Sequence, residues 1–165
     1  MYHFPPQAVT CSYPSPLGLM ALLATDDALL GAWFEDQQHF PVLDAFQKRP
    51  GHVLLEQARS ELNDYFSKRR NAFTLPLGWA GGTTFQQSVW QGLRAIPAGT
   101  TCTYGAIAQA IGHPAAVRAV GGAIGRNPLS IFVPCHRVLG ARGAMTGYAG
   151  GLPRKIALLQ LESAI

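Results

Sequence analysis

Residues 118–138 read RAVGGAIGRNPLSIFVPCHRV, a run of small residues that leads through an Asn-Pro pair to a cysteine beside a histidine. The pattern before Asn127 predicts a helix over residues 114–125 that carries glycine or alanine at most positions. Each interior glycine costs a helix roughly 1 kcal/mol relative to alanine, so a compensating contact is expected. Two contacts would serve: tight helix packing within the protein, or entry of a slim helix with Arg118 into a groove of DNA.

A second short helix is predicted immediately before this one, over residues 103–112. The turn at Gly112 and the placement of Pro114 at the first helical position are typical of two helices joined closely. Such a pair is a helix-turn-helix candidate. Further towards the N-terminus, Thr84 and Gln87 fit a capping box that would begin another helix. The second half of the chain is therefore predicted to be mostly helical.

The first half has a different pattern, with short apolar runs separated by turn-forming residues, and this predicts an antiparallel meander. Apolar residues at helical spacing predict one helix over residues 52–70, with basic residues at its end that suit the helix dipole. The Gly-, Pro- and Thr-rich stretch 73–84 predicts a boundary between domains of residues 1–80 and 81–165. The expected strands are AVTCSY (8–13), GLMALLAT (18–25) and ALLGAWF (28–34).

The composition of the chain favours a soluble globular protein of a reducing compartment. Hydrophobic residues make up 48% of the 165 residues, which allows a sizeable core. No apolar run approaches the roughly 20 residues of a membrane span, and the N-terminus does not resemble a secretory signal. The three cysteines are odd in number and widely spaced, which argues against a disulfide framework or a zinc cluster. We expect a cytoplasmic protein that holds no metal.

Charge is distributed unevenly between the two halves. Residues 1–80 hold six Lys/Arg and eight Asp/Glu, whereas residues 81–165 hold seven Lys/Arg and one Asp/Glu. The excess of positive charge in the second half indicates a polyanionic partner. A solvated basic surface without a partner is the alternative that charge alone leaves open.

Cys135 is a candidate nucleophile because His136 and Arg137 follow it and could supply a base and positive surroundings. A thiol reacts as its thiolate, which needs a base or positive surroundings to form near neutral pH. Adjacent residues of a strand point to opposite faces, so a role for His136 requires either a turn at Pro134 or a water that relays the proton. Glu162, the one carboxylate of the second half, could fix the tautomer of the histidine. An inert buried thiol is the alternative interpretation.

Together, RAVGGAIGRNP (118–128), VPCHRV (133–138), GYAGGL (147–152) and the distant Glu162 resemble the methylated-DNA–protein cysteine methyltransferases of bacterial type, also called O6-alkylguanine-DNA alkyltransferases. The resemblance covers nearly the whole chain, and residues 12–35 are similar to the N-terminal domain of bacterial members. It implies an α+β fold. A small N-terminal antiparallel-sheet domain with a helix, ribonuclease H-like, would precede a mostly helical, winged helix-turn-helix-like C-terminal domain.

The resemblance also implies direct-reversal DNA repair without a cofactor. Members flip the damaged guanine out of the duplex from the minor-groove side, and a thiolate takes its alkyl group irreversibly, so that each molecule acts once. Flipping costs a few kcal/mol, and least for a damaged base. The expected partner is double-stranded DNA that carries O6-alkylguanine, with O4-methylthymine as a further candidate substrate. A monomer is expected, with no obligate protein partner and no membrane, and cooperativity on DNA stays open.

Carried over by the resemblance, Cys135 is the alkyl acceptor and His136 deprotonates it through a water. Glu162 is the acid that orients the imidazole. Asn127 is the amide of the hinge between the small-residue helix and the cysteine. Arg118 is the arginine that fills the space left by the flipped base.

The remaining carried-over roles concern the base and the DNA. Tyr104 would donate a hydrogen bond to the guanine and crowd the backbone phosphate into rotation. The carbonyls of Cys135 and Val138 would accept from the guanine amino group. The N–H of Ala149 would face the guanine oxygen, in a flexible wall that also contains Tyr148. The further residues expected at the DNA face are Ala119, Gly122 and Arg126.

The sequence leaves two other functions open. A non-catalytic protein or regulator that binds alkylated DNA would form no covalent product, and the presence of Cys135 argues against it. A Cys-His-Glu hydrolase would turn over repeatedly, but it would have no use for a basic half and a groove-sized helix.

Ser130 stands where some relatives have a proline that lines the alkyl pocket. The segment GARGAMTGY (140–148) is predicted to be a hairpin.

Overall fold

The computed structural model describes residues 2–165. The chain forms two compact units. Unit 1 extends to Gly81 and also includes Pro128–Phe132, and unit 2 consists of Gly82–Asn127 and Val133–Ile165. Over the described residues, every helix is too short or too polar to cross a membrane.

The core of unit 1 is a four-stranded sheet. Strands β1 (Val9–Ser15), β2 (Gly18–Ala24) and β3 (Leu29–Phe34) run antiparallel, which confirms the predicted meander. Strand β4 (Gln47–Lys48) pairs parallel with β1, and the strand order is β3-β2-β1-β4. Every residue of β3 is buried, as are the last five residues of β2. The sheet is therefore covered on both faces.

Helix α1 (Val53–Phe66) packs on this sheet through the apolar residues that predicted it, including Leu55 and Leu62. It is shorter than the predicted 52–70. Ser67 caps its C-terminus, so that the basic residues 68–70 follow the helix and its last turn contains no basic residue. The predicted support of the helix dipole by these residues is wrong. Hydrogen bonds with the side chain of Asp64 hold Arg69 instead.

A segment from late in the chain completes unit 1. The backbone of Ala32 donates to Pro128 O (2.9 Å) and accepts from Ser130 N (2.8 Å). Leu129, Ile131 and Phe132 of this segment are buried. The predicted division at residue 80 placed residues 128–132 in the second domain. A long-range pairing with β3 places them in unit 1, and local sequence patterns do not show such a pairing.

Unit 2 begins with α2 (Thr84–Leu93), which a capping box starts one residue earlier than predicted. Thr83 is the N-cap and Gln86 is its reciprocal partner, in place of Thr84 and Gln87. The two candidate pairs are adjacent and have equivalent chemistry. The choice between them depends on where the incoming chain leaves extended geometry.

The helix-turn-helix pair consists of α3 (Tyr104–Ala110) and α4 (Val117–Gly125), which pack on α2 and on each other. Gly112 has a φ of +78° in the connection. Pro114 lies in the turn before α4 and not at its first helical position, because Ala116 is the N-cap. This part of the prediction is wrong by one turn.

The rest of unit 2 surrounds the cysteine motif. Strand β5 (Cys102–Thr103) pairs parallel with β6 (Val138–Leu139), and α5 (Leu152–Leu161) follows. The predicted hairpin at 140–148 is wrong. The segment instead contains a 3-10 turn, Ala141–Gly143, which the hydrogen bond from Gly140 N to Ala144 O (2.8 Å) closes.

Candidate active site around Cys135

Cys135 begins a single 3-10 turn, Cys135–Arg137, directly after Pro134. The turn is held by hydrogen bonds from Cys135 N to Val133 O (2.8 Å) and from Arg137 N to Pro134 O (3.0 Å). The backbone therefore turns at Pro134, which was one of the two arrangements that the sequence left open. Cys135, His136 and Arg137 are all buried, so the turn places three reactive or charged side chains inside unit 2.

Asn127, at the end of α4, contacts the thiol directly. Its side chain is buried, and Nδ2 donates to Val133 O (2.8 Å) and to Cys135 Sγ (3.1 Å). Two hydrogen bonds from one amide thus connect the end of the small-residue helix with the cysteine turn. Asn127 is therefore a buried structural contact of the cysteine turn and not part of a plain surface loop.

His136 is fully buried and contacts the one acid of unit 2. Its Nε2 lies 2.8 Å from Oε1 of Glu162, at the C-terminal end of α5. Since the carboxylate accepts, Nε2 carries the proton and Nδ1 is the basic nitrogen. Nδ1 is buried and has no hydrogen-bond partner among residues 2–165. The residue pair that the sequence singled out is thus brought together with one ring nitrogen left to accept a proton.

Arg137, which the sequence offered as positive charge beside the thiol, is paired with Glu162. Its Nε donates to Oε2 of Glu162 (2.9 Å) and its Nη2 to Oε1 (2.8 Å), a two-point ion pair in a buried setting. Nη1 donates to the carbonyl of Ile96. The sequence already favoured this ion pair. Glu162 is the one carboxylate of a basic half, and Arg137 follows the histidine that Glu162 contacts.

Burial determines the protonation of these groups. Burial lowers the pKa of His136, and the hydrogen bond with Glu162 opposes that shift. Burial raises the pKa of the Cys135 thiol, which hydrogen bonding from Asn127 and the charge of Lys155 oppose. The imidazole is therefore neutral at neutral pH, and the thiol keeps its proton until a base removes it.

Lys155 is a residue of this site to which the sequence reasoning assigned no role. Its side chain is fully buried, and Nζ donates to three backbone carbonyls, those of Val138 (2.6 Å), Thr146 (2.7 Å) and Gly147 (3.1 Å). Burial lowers its pKa to about 8. Helical spacing could have predicted this burial. Lys155 and Glu162 lie seven residues apart and so share one face of α5, the face on which Leu158 and Leu159 are buried.

Tyr104, the first residue of α3, shares two of these carbonyls. Its hydroxyl lies 3.3 Å from Thr146 O and 3.4 Å from Gly147 O, and burial raises its pKa. A Cβ at Gly147 would lie 3.0 Å from the tyrosine oxygen, and Gly147 has a φ of +53°. The segment before Tyr148 therefore needs glycine at this position. Val138 is buried, and Tyr148 and Ala149 are half-buried.

Helix α4 exposes the face on which Arg118, Ala119 and Gly122 lie, and it buries Val120 and Ala123. The indole of Trp90 fixes this buried side by donating to Ala123 O (2.8 Å). Arg126 is exposed and donates to Gly122 O (3.1 Å).

The glycines of α4 are not required by packing within unit 2. A Cβ at Gly121 would meet Tyr104 at an ordinary 3.8 Å, and one at Gly122 would meet only Arg126, at 3.6 Å. A Cβ at Gly125 would have nothing within 4 Å. Tight packing inside the protein therefore does not explain the three glycines of this helix.

Within residues 2–165, no group of three His, Cys, Asp or Glu side chains is placed to hold a metal ion.

Two family models match nearly the whole chain. One is described as 6-O-methylguanine DNA methyltransferase, ribonuclease-like domain, and matches residues 9–78. The other is described as 6-O-methylguanine DNA methyltransferase, DNA binding domain, and matches residues 84–164.

Curated proteins and solved structures give the same result. The chain is 42% identical over 151 residues to a methylated-DNA–protein-cysteine methyltransferase of Haemophilus influenzae, covering 91% of this chain and 83% of that one. It is 46% identical over 144 residues to an inducible one of Bacillus subtilis, covering 81% and 80%. The structure of the Mycobacterium tuberculosis O6-methylguanine methyltransferase is similar with a TM-score of 0.87 and 42% identity, covering 95% and 93%. The M. tuberculosis protein in complex with DNA gives a TM-score of 0.86.

Proposed function

The chain belongs to the 6-O-methylguanine DNA methyltransferase family, and on that premise we propose that it repairs alkylated DNA by moving the alkyl group of O6-alkylguanine to Cys135. The observation that carries the proposal is the buried 3-10 turn in which Asn127 bonds the Cys135 thiol and His136 bonds Glu162. This turn lies in the basic unit, as does α4, whose exposed face carries Arg118, Ala119 and Gly122.

The proton path follows from the tautomer of His136. Nδ1 accepts the thiol proton through a water, and the new imidazolium is stabilised by the carboxylate of Glu162. The thiolate then attacks the alkyl carbon, so that a sulfur–carbon bond forms as the carbon–oxygen bond to the guanine breaks. The guanine leaves with the electron pair and takes up a proton. A thioether offers water no leaving group, so each molecule reacts once.

The DNA would lie along the exposed face of α4. Arg118 would occupy the place of the extruded base, and Ala119, Gly122 and Arg126 would lie against the backbone. Support comes from the exposure of Gly122 and the open space at Gly125, which allow close approach of another surface. The M. tuberculosis relative, which was crystallised with DNA, lends further support. Because phosphate contacts release counterions, binding should weaken steeply with salt.

The extruded base would be recognised mostly by backbone groups. The carbonyls of Cys135 and Val138 would accept from the guanine amino group, and Ala149 N–H would face the guanine oxygen, with Tyr148 in the same wall. Val138 O already accepts from Lys155, but a carbonyl has two lone pairs and can accept twice. Tyr104 would donate to the base. O4-methylthymine would be a second substrate to the extent that it makes the same contacts.

The decisive experiment mixes the protein with a short duplex that contains one O6-methylguanine. The intact mass should rise by one methyl in place of one hydrogen, peptide mapping should place it on Cys135, and one event should occur per molecule. Cys11 and Cys102 serve as internal controls, because they are free thiols of the same chain that lie outside the Cys135–Arg137 turn. The Cys135→Ser variant should bind the duplex without a covalent product. Repeated turnover would exclude the stoichiometric mechanism, and binding without transfer by the wild type would indicate a lesion-binding protein.

A further inference from the structure

Strand β1 of unit 1 has one edge that is paired over only part of its length. On one side β1 pairs with β2 from end to end, whereas β4 on the other side pairs only with Val9 and Thr10. Pro50 and Gly51 then turn the chain before α1 begins. The outer edge of β1 is therefore open from Ser12 onward.

The backbone of Ser12 faces this open edge. Arg49 N donates to Thr10 O (2.8 Å), so the backbone groups of Thr10 point towards β4. Backbone groups of successive strand residues alternate in direction, which turns those of Cys11 towards β2 and those of Ser12 outward again. Ser12 is exposed, and outside the β1–β2 pairing its backbone forms no hydrogen bond among residues 2–165. Ser12 therefore presents one free donor and one free acceptor.

Pro14 limits how far a second chain can pair along this edge. Its backbone points outward like that of Ser12, but proline has no N–H, so only its carbonyl can bond. Proline is tolerated in a strand where the missing donor would face solvent, and Pro14 is exposed. A chain laid beside β1 would thus meet the N–H and carbonyl of Ser12 and the carbonyl of Pro14.

A cavity of about 710 Å³ lies beside the open edge. Three consecutive residues of β1, Thr10, Cys11 and Ser12, line it. Because side chains of a strand alternate between its two faces, a cavity that meets three residues in a row reaches the edge of the strand. Its volume is within the range of about 300–1,000 Å³ that is usual for binding pockets.

The loop before β4 gives this cavity an apolar wall. Residues 40–43 and Phe46 line it, and Phe40 and Phe46 are held by edge-on ring contacts with Trp33 and Phe4. Val42 in the same wall is 81% exposed. The wall is therefore anchored from behind and offers apolar surface to a ligand.

The charged residues of the lining are Glu35, Asp44 and Lys48. All three are exposed, and none of their side chains forms a hydrogen bond or ion pair among residues 2–165. Two carboxylates against one ammonium give the lining a negative charge, which repels DNA and attracts a cationic group. The carboxylates are free to pair with such a group.

We propose that the open edge of β1 and its cavity bind an extended peptide segment of a partner protein, which adds a strand to the sheet and carries a basic and an apolar side chain. Strand addition draws its affinity from main-chain hydrogen bonds and its specificity from pockets for alternate side chains. The basic side chain pairs with Glu35 or Asp44, and the apolar one lies against the wall 40–46. Since both point to one face, one residue separates them. This binding goes beyond alkyl transfer and gives unit 1 a role of its own.

The test uses a peptide with a neutral fluorophore, Thr-Leu-Thr-Arg-Thr-amide, in which leucine and arginine share one face and threonine favours extended backbone. Binding to the full chain is followed by fluorescence anisotropy without DNA. One control peptide carries glutamate in place of arginine. A second has ester bonds in place of its amide bonds, which keeps the side chains and removes the backbone donors.

The wild-type chain should bind the arginine peptide, and both control peptides should bind more weakly. Combined Glu35→Gln and Asp44→Asn should weaken binding about 2- to 25-fold, the usual range for two exposed ion pairs. Asp27→Asn is the matched control, because Asp27 is an exposed acid of the same unit outside the lining, and it should change nothing. Ser12→Pro removes the outward donor and should weaken binding about 2- to 10-fold.

Amide hydrogen exchange gives a readout that needs no variant. In the free protein the amide of Ser12 should exchange rapidly, whereas those of Cys11 and Tyr13, which face β2, should be protected. Saturating peptide should protect Ser12 and leave its two neighbours unchanged. An unprotected Ser12, equal binding of the ester peptide, or no binding at about 1 mM peptide would overturn the proposal.

A second copy of this chain is the competing occupant of the edge. A concentration-dependent dimer in sedimentation that Ser12→Pro abolishes would assign the edge to self-association and overturn binding of a partner's peptide. These measurements contain no DNA, so a failure of alkyl transfer to Cys135 would refute the proposed function and leave the result at β1 unaffected. Ser12→Pro should transfer the alkyl group at the wild-type rate.

Discussion

Each unit buries one glutamate, and the two glutamates have different partners. Glu61 of unit 1 accepts from Gln57 (2.9 Å) and from the backbone and hydroxyl of Thr74 (2.8 and 2.6 Å), with Arg70 at 3.3 Å. Burial alone would raise its pKa, but the hydrogen bonds from Thr74 and Gln57 and the charge of Arg70 lower it. These contacts join α1 to the chain that follows it.

Glu162 of unit 2 is equally buried, with 3% of its side chain exposed against 4% for Glu61. Its partners, however, are His136 and Arg137, both buried and next in sequence to the thiol. Burial and satisfied hydrogen bonds are therefore common to both carboxylates and do not by themselves indicate a role in proton transfer. The chemistry of the partners does, because only a titratable partner can move a proton.

The largest expected difference concerns the rate of transfer. Glu162→Gln should slow single-turnover alkyl transfer by about 10²–10⁴-fold, the usual contribution of a general base, because the imidazolium loses its counter-ion. Glu61→Gln should leave the rate of the folded protein unchanged. Both are measured with O6-methylguanine duplex well below the unfolding temperature of each variant. Equal losses would remove the distinction between the two sites.

Stability should separate the same two variants less strongly. Glu162→Gln leaves Arg137, with 7% of its side chain exposed, as an uncompensated buried charge, and this should lower the free energy of unfolding by about 3–5 kcal/mol. Glu61→Gln leaves Arg70 at 26% exposure, where water can solvate it, so the loss should be about 1.5–3 kcal/mol. Urea unfolding gives both values. A larger loss at Glu61 would show that solvent access to the remaining charge does not govern the cost.

Glycines extend the comparison. A Cβ at Gly31 of β3 would lie 1.7 Å from the ring of the buried Trp33, so Gly31→Ala should cost about 1–3 kcal/mol of stability.

Gly122→Ala should instead stabilise the protein by up to about 1 kcal/mol, since its Cβ meets only Arg126. It should nevertheless weaken duplex binding, measured by fluorescence anisotropy. Unchanged binding would count against α4 as the DNA face.

The smallest effect is a difference in pH dependence. Burial lowers the folded pKa of His136 below 6.5, so the unfolded chain binds the proton more readily and stability falls as pH drops from 6.5 towards the lower folded value. The slope is at most about 1.4 kcal/mol per pH unit. The lowered pKa of Glu61 acts in a lower window, since its contribution is present above 4.5 and lost as pH falls below that value. Urea midpoints at successive pH values should show that His136→Asn flattens the upper window and Glu61→Gln does not.

Much of the fold could be predicted because its signals are local. The meander and α1 follow from apolar spacing, and α3 and α4 from short periodic runs around Gly112. The errors fall where a boundary depends on distant contacts. The capping box is displaced by one residue, and the segment 128–132 pairs with β3, about a hundred residues earlier in the chain.

The candidate site was predictable to a similar degree. Cys135 and His136 are adjacent in sequence, and Glu162 is the only acid of its half. The sequence therefore predicted Glu162 as the partner of His136, and the hydrogen bond between them agrees with that prediction. The ion pair of Arg137 with Glu162 and the burial of Lys155 were not predicted, because a lysine or arginine in a basic half is usually solvated. Only the path of the chain shows that these two are buried.

The sequence by itself determined the meander β1–β3, the helices α1 to α4, the segregation of charge and the residue types able to perform thiol chemistry. Each of these depends on side-chain identity and short-range spacing. The tertiary structure alone decided that the backbone turns at Pro134, that Glu162 joins His136 to Arg137, and that Lys155 is enclosed by carbonyls. Polar partners are selected by which groups are buried together, and burial is a property of the packed chain that neighbouring residues do not encode.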